Sequence, residues 1–174
     1  MARLRDAAPA GWEGVVLDAP TISDGDGGAA PSEEARAAIG NAEAYAGFGM
    51  SRALFAGAPR LRWVHSAAAG VGGLLFPEMR ASQVIITNSA GVHATPIAEH
   101  VLAGVLVLLR GLDIARERQR ARHWDRAVFT GRGTQVREVG DCRALILGAG
   151  GIGGAIAQRL TFLGATCRAV SSPI

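Results

Sequence analysis

An α/β fold built on parallel strands is what the sequence predicts, on three observations. Short apolar runs alternate with helix-like segments through most of the chain. A glycine-rich turn, Gly148-Ala149-Gly150-Gly151-Ile152-Gly153, is preceded by an apolar strand and followed by a helix-like run. Glycine is abundant, 24 of 174 residues, and aromatic residues make up only 5%, a composition suited to helices packed closely on a sheet.

In order along the chain, Val15-Val16-Leu17 reads as a short buried strand, and residues 18–31, rich in Gly, Asp and Pro, as a loop. Ser32 is suited to cap a helix over residues 35–39, with Glu33 and Glu34 in the first turn. Residues 44–48 form a strand, 51–58 a helix stopped before Pro59, 61–65 a strand, 66–73 a loop of small residues, and 84–88 a strand. A long helix opens at Thr95-Pro96, where Pro suits the first helical position. Its apolar stripe is Ile97, Val101, Leu102, Val105, Leu108 and Leu109, and residues 116–122 form its polar distal part. Residues 124–140 read as a linker. The closing unit is strand 144–147, the glycine turn, helix 152–163 and strand 166–170.

Composition narrows the function classes. The chain is 49% hydrophobic and 19% charged, as in a soluble globular domain. A net charge of +3 and an arginine cluster over 110–126, whose one Phe, Tyr or Trp residue is Trp124 near its end, describe a solvated helix face rather than a nucleic-acid surface. The longest apolar stretch, 101–109, is too short to span a bilayer, and the N-terminus lacks the apolar run of a signal peptide. Cys142 and Cys167 have no metal-ligand spacing and read as reduced, buried thiols of a cytoplasmic protein.

Three segments carry chemistry. In the glycine turn, Gly148 permits the tight bend, Gly150 lets backbone approach a phosphate, and Gly153 lets helix and strand close up. The pattern is that of a Rossmann dinucleotide site, holding NAD or NADP with Gly148, Gly150, Gly151, Ile152 and Gly153. The residue that discriminates between them belongs at the end of the next strand, at Ser171. A serine there cannot hold the adenosine ribose by charge and leaves room for a 2′-phosphate, which favours NADP, although no arginine follows it. The second segment, residues 66–73, follows a strand with small residues whose backbone N–H groups suit a carboxylate, and serves equally as a plain tight turn. The third, residues 88–100, joins a strand end to the long helix with Asn, Ser, His and Thr side chains, a polar corner for an anion. There His93 has the best position of the four histidines. His65 and His123 read as ordinary, and His100 as a structural hydrogen-bonder.

Taken together, Ala69-Gly70-Val71, Asn88-Ser89, Ala98-Glu99-His100, His123-Trp124-Asp125 and Gly148–Gly153 resemble, in order and spacing, the D-isomer-specific 2-hydroxyacid dehydrogenases, and Ser171 is similar to the members that accept NADP, such as the glyoxylate/hydroxypyruvate reductases. The resemblance covers roughly residues 15–171. It implies a flavodoxin-like substrate domain (1–96) and, from 97 to 174, an interdomain helix and the first βαβ part of a Rossmann domain. It also implies hydride transfer between NAD(P)H and a small 2-keto acid. The substrate carboxylate would rest on Ala69 and Gly70, with His93 beside it. Ser89 and Thr95 would line the cofactor side of the cleft, and the long helix would support a homodimer. The family's catalytic Arg, Glu and His match no residue here, since His100 and Arg110 lie upstream of their place. The expectation is therefore a chain short of its first strand and of most of its cofactor domain, and inactive alone. The alternative is a non-catalytic NAD(P)-binding or partner-binding protein derived from the family.

Overall fold

The structure, a computed structural model, describes residues 9–17, 30–134 and 136–171. The chain divides into two compact units, residues 1–90 and 91–174, where the sequence-based division falls at 96/97. Both are α/β, with parallel sheets.

In the first unit, β1 (Ala44–Gly47), β2 (Trp63–Ser66) and β3 (Ile85–Asn88) form a parallel sheet in the order β1-β2-β3. The connections carry α1 (Glu33–Ile39), α2 (Arg52–Ala56), α3 (Pro77–Ala81) and a 3-10 turn at Gly72–Leu74, with α1 preceding β1. Ser32 caps α1 as expected, its Oγ accepting the Ala35 N–H at 3.1 Å. Ser51 does the same for Leu54 at 3.2 Å, which starts α2. Helix and strand residues share one core: Ala35, Ile39, Met50, Leu54, Val64, Leu74 and Met79, with Tyr45 and Ile86 packed against it. The register pairs Tyr45, Val64 and Ile86, which fixes the packed face of the sheet. Trp63, His65, Ile85 and Thr87 therefore stand on the other face. The guanidinium of Arg52 grips Glu78 with two bonds, Nε to Oε2 at 3.1 Å and Nη2 to Oε1 at 2.5 Å, tying α2 to α3 and holding the Glu78 carboxyl below its ordinary range.

Tyr45 is the chain's single tyrosine. Its hydroxyl donates to the Gly49 carbonyl at 2.6 Å, and burial pushes its pKa up to about 12. The folded state thus keeps a proton that the unfolded chain releases near pH 10. Stability is intact below pH 10 and falls as pH rises from 10 through about 12. Tyrosinate absorbance should titrate near 12 in the native protein and near 10 in concentrated urea. Coincident titrations would refute the buried environment.

In the second unit, α4 (Ala94–Leu109) and α5 (Leu112–Arg120) lead through a short helix α6 (Ala127–Thr130) and a 3-10 turn (Val139–Asp141) to β4 (Arg143–Leu147). Helix α7 (Gly151–Phe162) and β5 (Thr166–Val170) follow, with β5 parallel to β4. The core here is Val139, Leu160 and Ala165, with Leu102, Val105, Leu109, Ile156 and Cys167 against it.

Several expectations need correction. Val15-Val16-Leu17 is not a strand: it pairs with no strand among the described residues, and Val15 and Val16 are exposed, with only Leu17 against the core. Within the 18–31 loop, residues 18–29 lie outside the described residues. The long helix begins at Ala94 behind His93, so Pro96 stands third, where the N–H it lacks has no helical acceptor anyway. The helix also does not run on through 116–122. It ends at Arg110, and Gly111 takes the left-handed conformation (φ +61°) that redirects the chain into α5. A Cβ on Gly111 would lie 3.1 Å from the Phe129 ring and 3.2 Å from Val136, so the turn is packed as well as bent. The linker at 124–140 contains α6 and the 3-10 turn. Cys142 and Cys167 are half-buried rather than buried, and free. Among the described residues, no helix is long and apolar enough to cross a membrane.

Candidate functional site

In the second unit, β4 delivers the chain to Gly148, whose φ of +100° is a backbone conformation that side chains rarely adopt. The Gly148 N–H donates to the Val170 carbonyl at 2.7 Å, which ties the turn to the end of β5. Gly150 is the N-cap of α7 and offers no side-chain acceptor. The first helical bond runs from the Gly154 N–H to the Gly150 carbonyl at 2.8 Å, so the N–H groups of Gly151, Ile152 and Gly153 are left without a helical acceptor. A Cβ on Gly150 would meet nothing within 4 Å, so the backbone there is bare and open to a bulky anion. Gly153 is different. A Cβ on it would overlap the carbonyl oxygen of Gly148 and lie 3.2 Å from Ile146 Cγ2, so α7 is pressed onto β4.

Helix α4 starts beside this turn. A Cβ on Gly151 would lie 3.9 Å from Ala94 Cβ and 4.0 Å from Gly91 Cα. The N-terminal ends of α4 and α7 therefore converge with the positive ends of their dipoles; in α4 the Ala94 N–H is taken by the Gly91 carbonyl at 3.0 Å and Pro96 has none, which leaves the N–H of Thr95. His93, the N-cap of α4, makes no side-chain cap bond, and both His93 and Thr95 are exposed. On the far side of the unit's ladder, Ser171 follows β5 with an exposed hydroxyl. Bare glycine backbone, two helix N-termini and no neighbouring carboxylate in the turn make a cradle that fits a dinucleotide pyrophosphate. Glu99 on α4 reaches Arg159 on α7 at 3.6 Å and holds the two helices together.

In the first unit, the loop after β2 is fastened from beneath. Ser66 is buried, and its Oγ accepts the Ala68 N–H at 3.2 Å, while the Ala67 N–H donates to the Gly47 carbonyl at 2.8 Å. The end of β3 fastens it from the side. The Ser89 N–H donates to the Ala68 carbonyl at 3.3 Å, and Asn88 Nδ2 donates to the Ala69 carbonyl at 2.6 Å. Ala69 and Gly70 are exposed, and their own N–H groups have no acceptor among the described residues. Two unpaired donors at the C-terminal edge of a parallel sheet suit a carboxylate.

Sequence reasoning set His65 aside as ordinary, and the structure ties it to Ser89. Its Nδ1 lies 2.9 Å from Thr87 Oγ1 and its Nε2 3.3 Å from Ser89 Oγ. Thr87 Oγ1 also accepts the Trp63 indole N–H at 2.9 Å, and Ser89 Oγ donates to the Ser66 carbonyl at 3.3 Å. Ser89 gives its one proton to the Ser66 carbonyl, so it accepts from Nε2–H, and in the neutral ring Nδ1 then accepts from Thr87. The pairing of His65 with Thr87 depends on strand register, which no local pattern announces. Each unit thus assembles its own part of the expected residue set: Ala69, Gly70 and Ser89 in the first, His93, Thr95, the glycine turn and Ser171 in the second.

Residues 102–173 match the family described as D-isomer specific 2-hydroxyacid dehydrogenase, NAD binding domain. An (S)-sulfolactate dehydrogenase of Chromohalobacter salexigens is 30% identical over 115 residues, 66% of this chain and 36% of that protein. A crystal structure of a D-isomer specific 2-hydroxyacid dehydrogenase family protein from Aeromonas salmonicida is 29% identical, with a TM-score of 0.64, over 79% of this chain and 42% of its own. A D-isomer specific 2-hydroxyacid dehydrogenase from Xanthobacter autotrophicus, solved with NADPH and MES, shares the fold at 22% identity and a TM-score of 0.58, over 75% of this chain and 44% of its own. The match thus spans about a third of the curated relative and less than half of either solved chain.

Proposed function

We propose that this chain, which belongs to the D-isomer specific 2-hydroxyacid dehydrogenase family, carries the cofactor cradle and the substrate-carboxylate loop of an enzyme interconverting a 2-keto acid and a D-2-hydroxy acid. The observation that carries this reading is the open, side-chain-free start of α7 at Gly150, followed by three N–H groups with no acceptor among the described residues. Gly148, Gly150, Gly151, Ile152 and Gly153, together with Thr95, would hold the pyrophosphate of NAD or NADP, and Ser89 would face the cofactor. The hydroxyl of Ser171 in place of a carboxylate favours NADP. Ala69 and Gly70 would hold the substrate carboxylate, with His93 beside it. When bound, the reduced nicotinamide supplies a hydride to the carbonyl carbon of the keto acid.

Reduction also requires an acid that delivers a proton to the carbonyl oxygen. The Arg, Glu and His that the family resemblance assigns to this step match no residue here, so the 174-residue chain by itself is expected to bind cofactor without turning over keto acid. The same observation favours a second reading, a non-catalytic NAD(P)-binding or partner-binding protein. Exposed Ile97, Val107 and Leu108 on α4 support a homodimer, while Leu102, Val105 and Leu109 from the same helix are used by the unit's own core.

The test is a fluorescence titration of the purified chain with NADPH and NADH, repeated on Gly150→Asp. The new side chain has open space and an ordinary φ of −70°, so folding stays within about 0.5 kcal/mol of native. Its carboxylate faces the phosphates, so NADPH affinity falls at least about tenfold. NADPH should bind more tightly than NADH, and neither should support glyoxylate or hydroxypyruvate reduction. Equal affinities would remove the NADP preference, and turnover would remove the claim of binding alone.

A further inference from the structure

We infer that Asn88 is a positioning residue that aims the Gly70 N–H at the substrate carboxylate, an assignment that rests on the reading of Ala69 and Gly70 as the carboxylate site. In a planar trans peptide, the C=O and the following N–H point in opposite directions. The Ala68 carbonyl is taken by the Ser89 N–H at 3.3 Å, so the Ala69 N–H faces away from the end of β3. The Ala69 carbonyl is taken by Asn88 Nδ2 at 2.6 Å, so the Gly70 N–H faces away from it as well. Two successive peptide planes are thus turned by two donors from one strand end, and both leave their N–H groups without an acceptor among the described residues.

The orientation of the Asn88 amide is itself determined. Its Oδ1 accepts the Ala90 N–H at 3.4 Å. A flipped amide would set oxygen against the Ala69 carbonyl and NH2 against the Ala90 N–H, losing both bonds. The register that pairs Asn88 with Ser66 brings this side chain to the loop that leaves β2. Gly70 has no Cβ, and none placed there would meet a neighbour within 4 Å, so the peptide plane has no side-chain packing to hold it. Asn88 supplies that restraint.

The two donors are separable, because one is backbone and the other a side chain. The full 174-residue chain, labelled with 15N and 13C, is titrated with oxamate and followed at the amide signals of Ala69 and Gly70. In the native chain both should shift. In Asn88→Ala the Gly70 response should shrink by at least about half while Ala69 keeps its own, and oxamate should bind about fivefold more weakly, the effect of one neutral hydrogen bond. A merely structural role would disturb both amides together. If the native amides move and those of Asn88→Ala move alike with native affinity, the positioning role falls and the carboxylate site stands. If neither native amide moves, the carboxylate site itself falls and the positioning role with it. Should the variant not fold, the native chain still decides: a scalar coupling across the bond from Asn88 Nδ2 to the Ala69 carbonyl carbon is expected, and its absence overturns the assignment.

Discussion

Gly153→Ala should lower the melting temperature of the unit formed by residues 91–174 by about 10 °C and weaken its cofactor binding. The added methyl would have to occupy the space of the Gly148 carbonyl oxygen, with Ile146 Cγ2 at 3.2 Å behind it. Neither obstacle is a flexible side-chain end. The Gly148 peptide is held by its positive φ and by its bond to Val170 at 2.7 Å, and Ile146 is itself buried. Alanine improves intrinsic helix propensity by about 1 kcal/mol. Forcing α7 off β4 costs about 3 kcal/mol or more, so the clash wins by about 2 kcal/mol. For a unit of this size, that lowers its melting temperature by about 10 °C. Gly154→Ala is the control, because a Cβ there meets nothing within 4 Å. It should leave the unit unchanged or slightly more stable. Thermal melting followed at amide signals of β4 and α7, with NADPH titration alongside, checks both. Native melting and native binding in Gly153→Ala would contradict the close helix–strand contact.

Leu54→Ala should destabilise the first unit by about 3 kcal/mol. Leu54 is 1% exposed and sits on α2 within the core that joins α1, α2 and α3 to β2. Removing its isobutyl group leaves a cavity between elements that reach it from several directions, with little freedom to collapse. A small domain holds only about 5–15 kcal/mol in total, so the loss is a large fraction of its stability. Urea unfolding followed at amide signals of β1, β2 and β3 measures it. Phe48→Ala, at a residue 67% exposed, should move the same transition by no more than about 0.5 kcal/mol. Equal effects from the two substitutions would mean that the core has been wrongly located.

Local patterns carried most of the architecture. The cap at Ser32, the strand ending at Asn88, the bend at Gly148 and the close helix–strand contact at Gly153 were readable because each depends on a few adjacent residues. What was missed depends on partners. Val15-Val16-Leu17 has the composition of a strand and no ladder to join, and composition cannot supply a neighbour. Gly111 was hidden between an apolar stripe and an arginine cluster that read as one helix, although a lone glycine at that junction is the usual sign of a left-handed stop. The five-residue helix at Pro77 carries its own start signal, with Pro77 first and Glu78 in the opening turn. It was too short to show a helical period.

The site divides in the same way. The glycine turn is a contiguous string, so its geometry followed from spacing. The aim of the Ala69 and Gly70 donors is set from β3, and the link from His65 to Ser89 is set by the pairing of His65 with Thr87. Both depend on a register between strands about twenty residues apart, which a single sequence does not state.

The central claim is that the start of α7 is a working pyrophosphate cradle. Its most direct test is NADPH titrated into the native 15N-labelled chain, followed residue by residue. Saturable shifts should be centred on the amides of Gly150, Gly151, Ile152 and Gly153 and extend to Thr95. An absence of saturable shifts at the glycine turn, or binding that leaves those amides unmoved, would contradict the account.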